Sequence, residues 1–121
     1  MSKTSEWVDG YVRAWKSKNA DDVRAIFADD AEYWFRPDDP EPVIGLEAIV
    51  RMWLEEEEPA DPQFEFEVLV EDERIGIVRG RTDYPGHQLY WNLWEVHFAD
   101  DGRAARFVEW FMTPREAGAE A

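Results

Sequence analysis

The sequence predicts an α+β domain, and three observations carry that prediction. Apolar residues recur at helical spacing in the first half. After about residue 62 the period falls to two, and the strands that follow are joined by short turns rather than by helices. A chain of 121 residues suits one domain, expected to span 1–121 with its core at about 5–113. Aromatics make up 15% of it, with seven Trp and seven Phe, which demands a packed interior.

Each element has its own signal. Trp7, Val8, Tyr11, Val12 and Trp15 form the stripe of an amphipathic helix, with Thr4 or Ser5 as its cap and Asn19 at its stop. Asp21 or Asp22 can cap a short second helix carrying Val23, Ile26 and Phe27, ended by Asp29-Asp30. Ala31 to Phe35 reads as an aromatic strand, and the prolines between Arg36 and Pro42 mark a loop. A third helix follows Gly45, with Leu46, Ile49, Val50 and Trp53 on one face. Residues 55–62 form an acidic, proline-broken loop. Phe64 to Val70, Arg74 to Tyr84, Leu89 to Phe98 and Ala104 to Thr113 are strands. Pro85-Gly86-His87 is a loop, Asp101-Gly102 a two-residue turn, and 114–121 a frayed tail.

Charge narrows the function classes. Thirteen basic residues against 28 acidic ones give a net charge of −15. That field repels phosphate backbones and anionic lipid, so neither nucleic acid nor membrane is an expected partner. A neutral or cationic small molecule is easier to accommodate. The absence of cysteine excludes disulfides, Cys-ligated zinc and thiol nucleophiles. The start has no apolar leader and no apolar run reaches membrane-spanning length, so a cytoplasmic location is expected. His87 sits in a loop and His97 points away from the apolar face, which makes no metal site. With no phosphate loop, zinc-protease motif or nucleophile elbow, neither a metal nor a cofactor is expected.

The order of elements, together with several short motifs, resembles the nuclear transport factor 2-like superfamily and its SnoaL-like families. The carrying residues are Tyr11 to Trp15, Ala28-Asp29-Asp30-Ala31, Ile44-Gly45, Asn92-Leu93-Trp94, Asp101-Gly102-Arg103 and Glu109-Trp110-Phe111. The resemblance implies a cone: a curved antiparallel sheet wrapped around the N-terminal helices, enclosing an apolar pocket. It also implies a homodimer formed through the outer sheet face. Ketosteroid isomerases of this superfamily use a first-helix tyrosine, matched here by Tyr11. Their two aspartates fall at Phe35 and near Trp91-Asn92, so that chemistry is rejected. Limonene-type epoxide hydrolases use Arg-x-Asp and a last-strand Asp. This chain resembles them with Arg81-Thr82-Asp83 and with Glu109, while Tyr33-Trp34-Phe35 stands for their Tyr-x-Asn.

The last hairpin allows side chains to be assigned to faces. A two-residue turn at Asp101-Gly102 sets Asp100 opposite Arg103, Phe98 opposite Ala105, Val96 opposite Phe107, Trp94 opposite Glu109 and Asn92 opposite Phe111. One face then carries Tyr90, Asn92, Trp94, Val96, Phe98, Phe107, Glu109 and Phe111, on which Asn92 and Glu109 are the polar exceptions. Glu109, held among aromatics, should have a raised pKa suited to general acid or base work. Alternatively it is a structural group bonded to Asn92, Tyr90 or an arginine. If the face of Arg79, Arg81 and Asp83 looks inward, Arg81 could bridge Asp83 and Glu109; otherwise these residues form a solvated strand face. Tyr11, Trp15, Tyr33 and Trp34 are either pocket walls or core. Two functions remain open. The chain binds a mostly apolar small molecule through Tyr11, Tyr33, Tyr90, Asn92, Trp94, Phe107 and Phe111, or it is a cofactor-free acid/base enzyme (epoxide hydrolase, cyclase or isomerase) using Glu109, Asp83 and Arg81.

Overall fold

A computed structural model describes residues 2–56 and 62–114. The chain runs α1 (Lys3–Ser17), α2 (Ala20–Arg24), β1 (Phe27–Trp34), β2 (Val43–Ile44), α3 (Leu46–Glu55), β3 (Gln63–Glu71), β4 (Ile75–Tyr84), β5 (Gln88–Phe98) and β6 (Ala104–Met112). The acidic loop expected at 55–62 and the expected tail lie, for 57–61 and 115–121, outside the described residues. Among the described residues no helix is long and apolar enough to cross a membrane.

Helix starts differ from expectation for local reasons. Ser2 caps α1 rather than Thr4 or Ser5: its hydroxyl accepts from Ser5 N at 3.1 Å, and the Ser5 hydroxyl oxygen accepts from Ser2 N at 3.0 Å. Thr4 is instead drawn inward, where its N–H and hydroxyl both donate to Glu71. Asn19 does not stop α1 so much as start α2, accepting from Asp21 N at 2.8 Å. The extended chain begins at Phe27, ahead of the expected Ala31, and Asp29-Asp30 lie within β1. The Ile26 carbonyl accepts from Trp7 Nε1 at 2.7 Å and from Ala104 N at 2.8 Å, and those tertiary bonds override the helical pattern there.

The six strands form one unclosed sheet in the order β2-β1-β6-β5-β4-β3. Every pairing is antiparallel except β1 with β6, which is parallel. No tight turn joins those two strands, so nothing ties them to opposite directions. Register irregularities in the β1–β6, β3–β4 and β5–β6 pairs bend the sheet around the helices. The last hairpin keeps the expected pairs from Asn92–Phe111 to His97–Arg106, then shifts so that Phe98 meets Ala104 rather than Ala105. Its loop is Asp100-Asp101-Gly102, not a two-residue turn. Gly102 N donates to Ala99 O, and Gly102 has φ +87°, a conformation that glycine adopts without strain.

The core is a cluster of rings between α1, α3 and the inner sheet face. Trp7 stacks on Phe107 with centroids 5.7 Å apart, Tyr11 lies 4.3 Å from Trp94, and Phe27 meets Trp53 edge-on. Close packing continues into β4, where a Cβ on Gly80 would stand 2.0 Å from the Phe66 ring.

Candidate functional site

Where the C-terminal ends of α1 and α3 meet the open end of the sheet, the rings part to leave a cavity of about 220 Å³. Tyr11, Trp15 and Lys18 border it from α1 and its cap, and Trp53 and Glu56 from α3 and its cap. On the sheet side stand Tyr33 and Phe35 from β1 and its end, Thr82 and Tyr84 from β4, Tyr90 and Asn92 from β5, and Glu109 and Phe111 from β6. The space suits a monocyclic or bicyclic molecule.

Its polar centre is a chain of three side chains on adjacent strands. The Thr82 hydroxyl donates to Asn92 Oδ1 at 3.0 Å, which turns the Asn92 amide so that Nδ2 donates to Glu109 Oε2 at 3.2 Å. Thr82 and Asn92 are buried. Loss of hydration pushes the Glu109 carboxyl up to about 7; the Asn92 amide and the Trp94 indole act in the opposite sense without overcoming it. Among the described residues the Trp94 Nε1 has no hydrogen-bond partner. Across the cavity the Tyr11 and Tyr33 hydroxyls meet at 3.3 Å. The Lys18 ammonium donates to the carbonyls of Trp53 and Glu56, each at 3.2 Å, at the C-terminus of α3.

Not all the expected site residues come together. Glu109, Asn92, Tyr11, Tyr33, Tyr90 and Phe111 border the cavity. Trp94 and Phe107 do not: at 1% and 0% exposure they belong to the ring cluster beneath it. Arg81 and Asp83 are a larger correction. Thr82 and Tyr84 take the inward positions of β4, so Arg81 and Asp83 lie on the outer face. There Arg81 pairs with Glu65 at 3.6 Å and sits over the Trp91 ring, so it bridges nothing to Glu109. Trp34 is likewise an outer-face residue, beneath Arg106 and bonded to Glu32. Sequence reasoning missed Thr82, Tyr84, Lys18, Phe35, Trp53 and Glu56. For the two on β4 a signal existed: a Pro85-Gly86-His87 loop pairs Tyr84 with Gln88 and hence Thr82 with Tyr90. Among the described residues no three His, Asp or Glu side chains are grouped to hold a metal ion.

A helix-filled, curved sheet with an aromatic pocket at its open end defines an NTF2-like α+β protein. The profile of the SnoaL-like domain matches residues 8–113, and the chain belongs to that family. No curated protein sequence matches it. Among solved structures it is similar to an NTF-2-like protein from Burkholderia xenovorans, with a TM-score of 0.74 and 19% identity over 94% of this chain and 86% of that one. A ketosteroid isomerase-like protein from Erwinia carotovora atroseptica gives 0.63 and 18%, over 91% and 94%. An LEH-like epoxide hydrolase from M. tuberculosis gives 0.63 and 15%, over 91% and 83%. At such identities these likenesses establish the fold and leave activity to the site itself.

Proposed function

We propose that this protein binds a small, mostly apolar molecule in the aromatic pocket, with Glu109 and Asn92 reading its polar group. The observation that supports this most directly is a single desolvated carboxyl facing an open, ring-lined cavity. Nile red, a neutral dye, should bind saturably with enhanced fluorescence. Phe111→Glu, a change at an exposed position on the rim, should weaken that binding about tenfold by placing a charge in the entrance. Failure of the dye and of a panel of monocyclic and bicyclic compounds to bind would remove the reading.

The pKa of Glu109 favours a second reading, cofactor-free proton transfer. At neutral pH both forms of the carboxyl are populated, so it can take a proton from an activated carbon and return it, with the Tyr33 hydroxyl beside the substrate. Epoxide hydration loses its support, because the Arg81 and Asp83 it would need stand on the other face. Protein-catalysed deuterium exchange into a cyclic ketone, lost in Glu109→Gln, would establish the chemistry; exchange no faster than in buffer leaves binding alone.

The outer sheet face supports a homodimer. Trp91, Trp110 and Met112 are exposed there, among charges already paired as Arg79–Glu67 and Arg81–Glu65. Sedimentation should give twice the chain mass at micromolar concentration, and a monomer at 100 µM, roughly the upper range for a stable pair, would refute it.

A further inference from the structure

Glu109 is a half-buried carboxyl with, among the described residues, no cation beside it. Its hydrogen-bond partner is the neutral amide of Asn92, Arg81 is on the far side of the sheet, and the Lys18 ammonium is held by the carbonyls of Trp53 and Glu56. A carboxyl withdrawn from water and from any counter-charge is relieved in one of two ways: it takes a proton, or a ligand brings the missing charge.

The walls favour the second. Tyr11, Trp15, Tyr33, Trp53, Tyr84 and Tyr90 reach the cavity from five different elements. Neighbouring rings meet steeply, Tyr11 with Trp15 at 86°, Tyr11 with Trp53 at 73° and Tyr84 with Tyr90 at 85°, so they turn around the space rather than stack into a slab. Ring faces attract cations, most strongly where water is excluded. A chain of net charge −15, with Glu56 at the cavity's border, also raises the local concentration of cations over anions.

We propose that the pocket's ligand is a protonated amine on a small apolar skeleton, its N–H groups donating to Glu109 and its skeleton lying among the rings. This rests on the reading of the cavity as a small-molecule site and names the ligand class for it. Among the described residues, the remaining charged or titratable groups on the cavity are Lys18, Glu56, Tyr11, Tyr33, Tyr84 and Tyr90.

Benzylamine and benzyl alcohol, nearly the same shape, separate the possibilities. Binding is followed by NMR through the indole N–H signals of Trp15 and Trp53. At pH 8 benzylammonium should bind at least about tenfold more tightly than benzyl alcohol. The preference should shrink at pH 6, where Glu109 takes up a proton, and vanish in Glu109→Gln, which keeps the side chain's shape. Equal binding, or tighter binding of the alcohol, overturns the amine proposal and leaves the pocket reading intact. A preference that survives in Glu109→Gln also overturns it, since Glu109 is then not the reader. If neither probe moves either indole signal, the amine proposal falls, and if Nile red and the compound panel also fail to bind, the small-molecule reading falls with it.

Discussion

Two strand carboxyls at different places in the sheet show how surroundings decide a side chain's role. Glu71 ends β3 near the start of α1, and Glu109 lies in β6 at the mouth of the pocket. Glu71 accepts from Thr4 Oγ1 at 2.7 Å and from Thr4 N at 3.2 Å. The Thr4 and Ser2 hydroxyls, then the Thr4 amide and the Lys3 charge, hold its pKa below the usual value. Glu109 has one amide donor and, among the described residues, no cation beside it, and loss of hydration moves its pKa the other way. The first carboxyl completes a helix start as an anion, where the helix dipole also favours one. The second stands ready to change charge. Partnered polarity locks a fold, whereas under-partnered polarity on a cavity wall is available to a ligand.

The largest effect expected from breaking this contrast is at Glu109. A folded-state pKa of about 7 against an ordinary 4.5 means that the folded chain binds more protons than the unfolded one between those values. Stability from this group therefore falls as pH rises through that window and stays reduced above it. Full linkage would amount to roughly 3 kcal/mol. Glu109→Gln should thus be more stable than the native chain at pH 8 by about that amount, the gap closing toward pH 4.5. Urea unfolding at the two pH values checks it. A gap independent of pH would mean that Glu109 does not titrate in the folded state as its surroundings require.

At the other carboxyl the sign reverses. Because Glu71 is held below its ordinary pKa, its contribution is present above that value and is lost as pH falls through the depressed one. Thr4→Val removes the buried hydroxyl, keeps the shape, and should lower Tm at pH 7 by about 5 °C. It should also make the acid limb of the Tm profile shallower than in the native chain. An unchanged acid limb would show that Thr4 packs without holding the charge.

How much of this was legible depended on which strand carried an apolar marker. In β5 and β6 the inner face is written in Trp94, Val96 and Phe107, and alternation placed Asn92 and Glu109 beside them correctly. In β4 the inner positions are Gly76, Val78, Gly80, Thr82 and Tyr84, while Ile75 and Ile77 face outward. Gly80 is small because the Phe66 ring occupies the place of its side chain, so the residue marking the core is on another strand. Hydrophobicity thus left the face of β4 undecided, and Thr82 went unnoticed for the same reason. Trp94 and Phe107 were placed on the right face but at the wrong depth. Alternation gives direction and says nothing about how far from the mouth a ring lies. The start of β1 was hidden differently, since bonds at the Ile26 carbonyl from two distant elements make it extended.

The smallest effect is expected at Arg81, and it sharpens the contrast by its absence. Arg81 and Glu109 both belong to the Arg-x-Asp and last-strand pattern that first suggested a shared site, yet the sheet stands between them. Arg81 is half-exposed, its partner Glu65 more so, and their separation of 3.6 Å is that of a loose surface pair. Such pairs contribute little, so Arg81→Ala should change stability by no more than about 0.5 kcal/mol. The decisive reading is the Glu109 carboxyl followed by carbon NMR. An arginine that oriented Glu109 would hold its ionised form, and removing it would drive the titration midpoint upward. With Arg81 on the outer face the midpoint should remain at about 7 in Arg81→Ala, because burial and not a lost cation sets it. A clear rise would return Arg81 to the pocket and, with it, the case for epoxide chemistry.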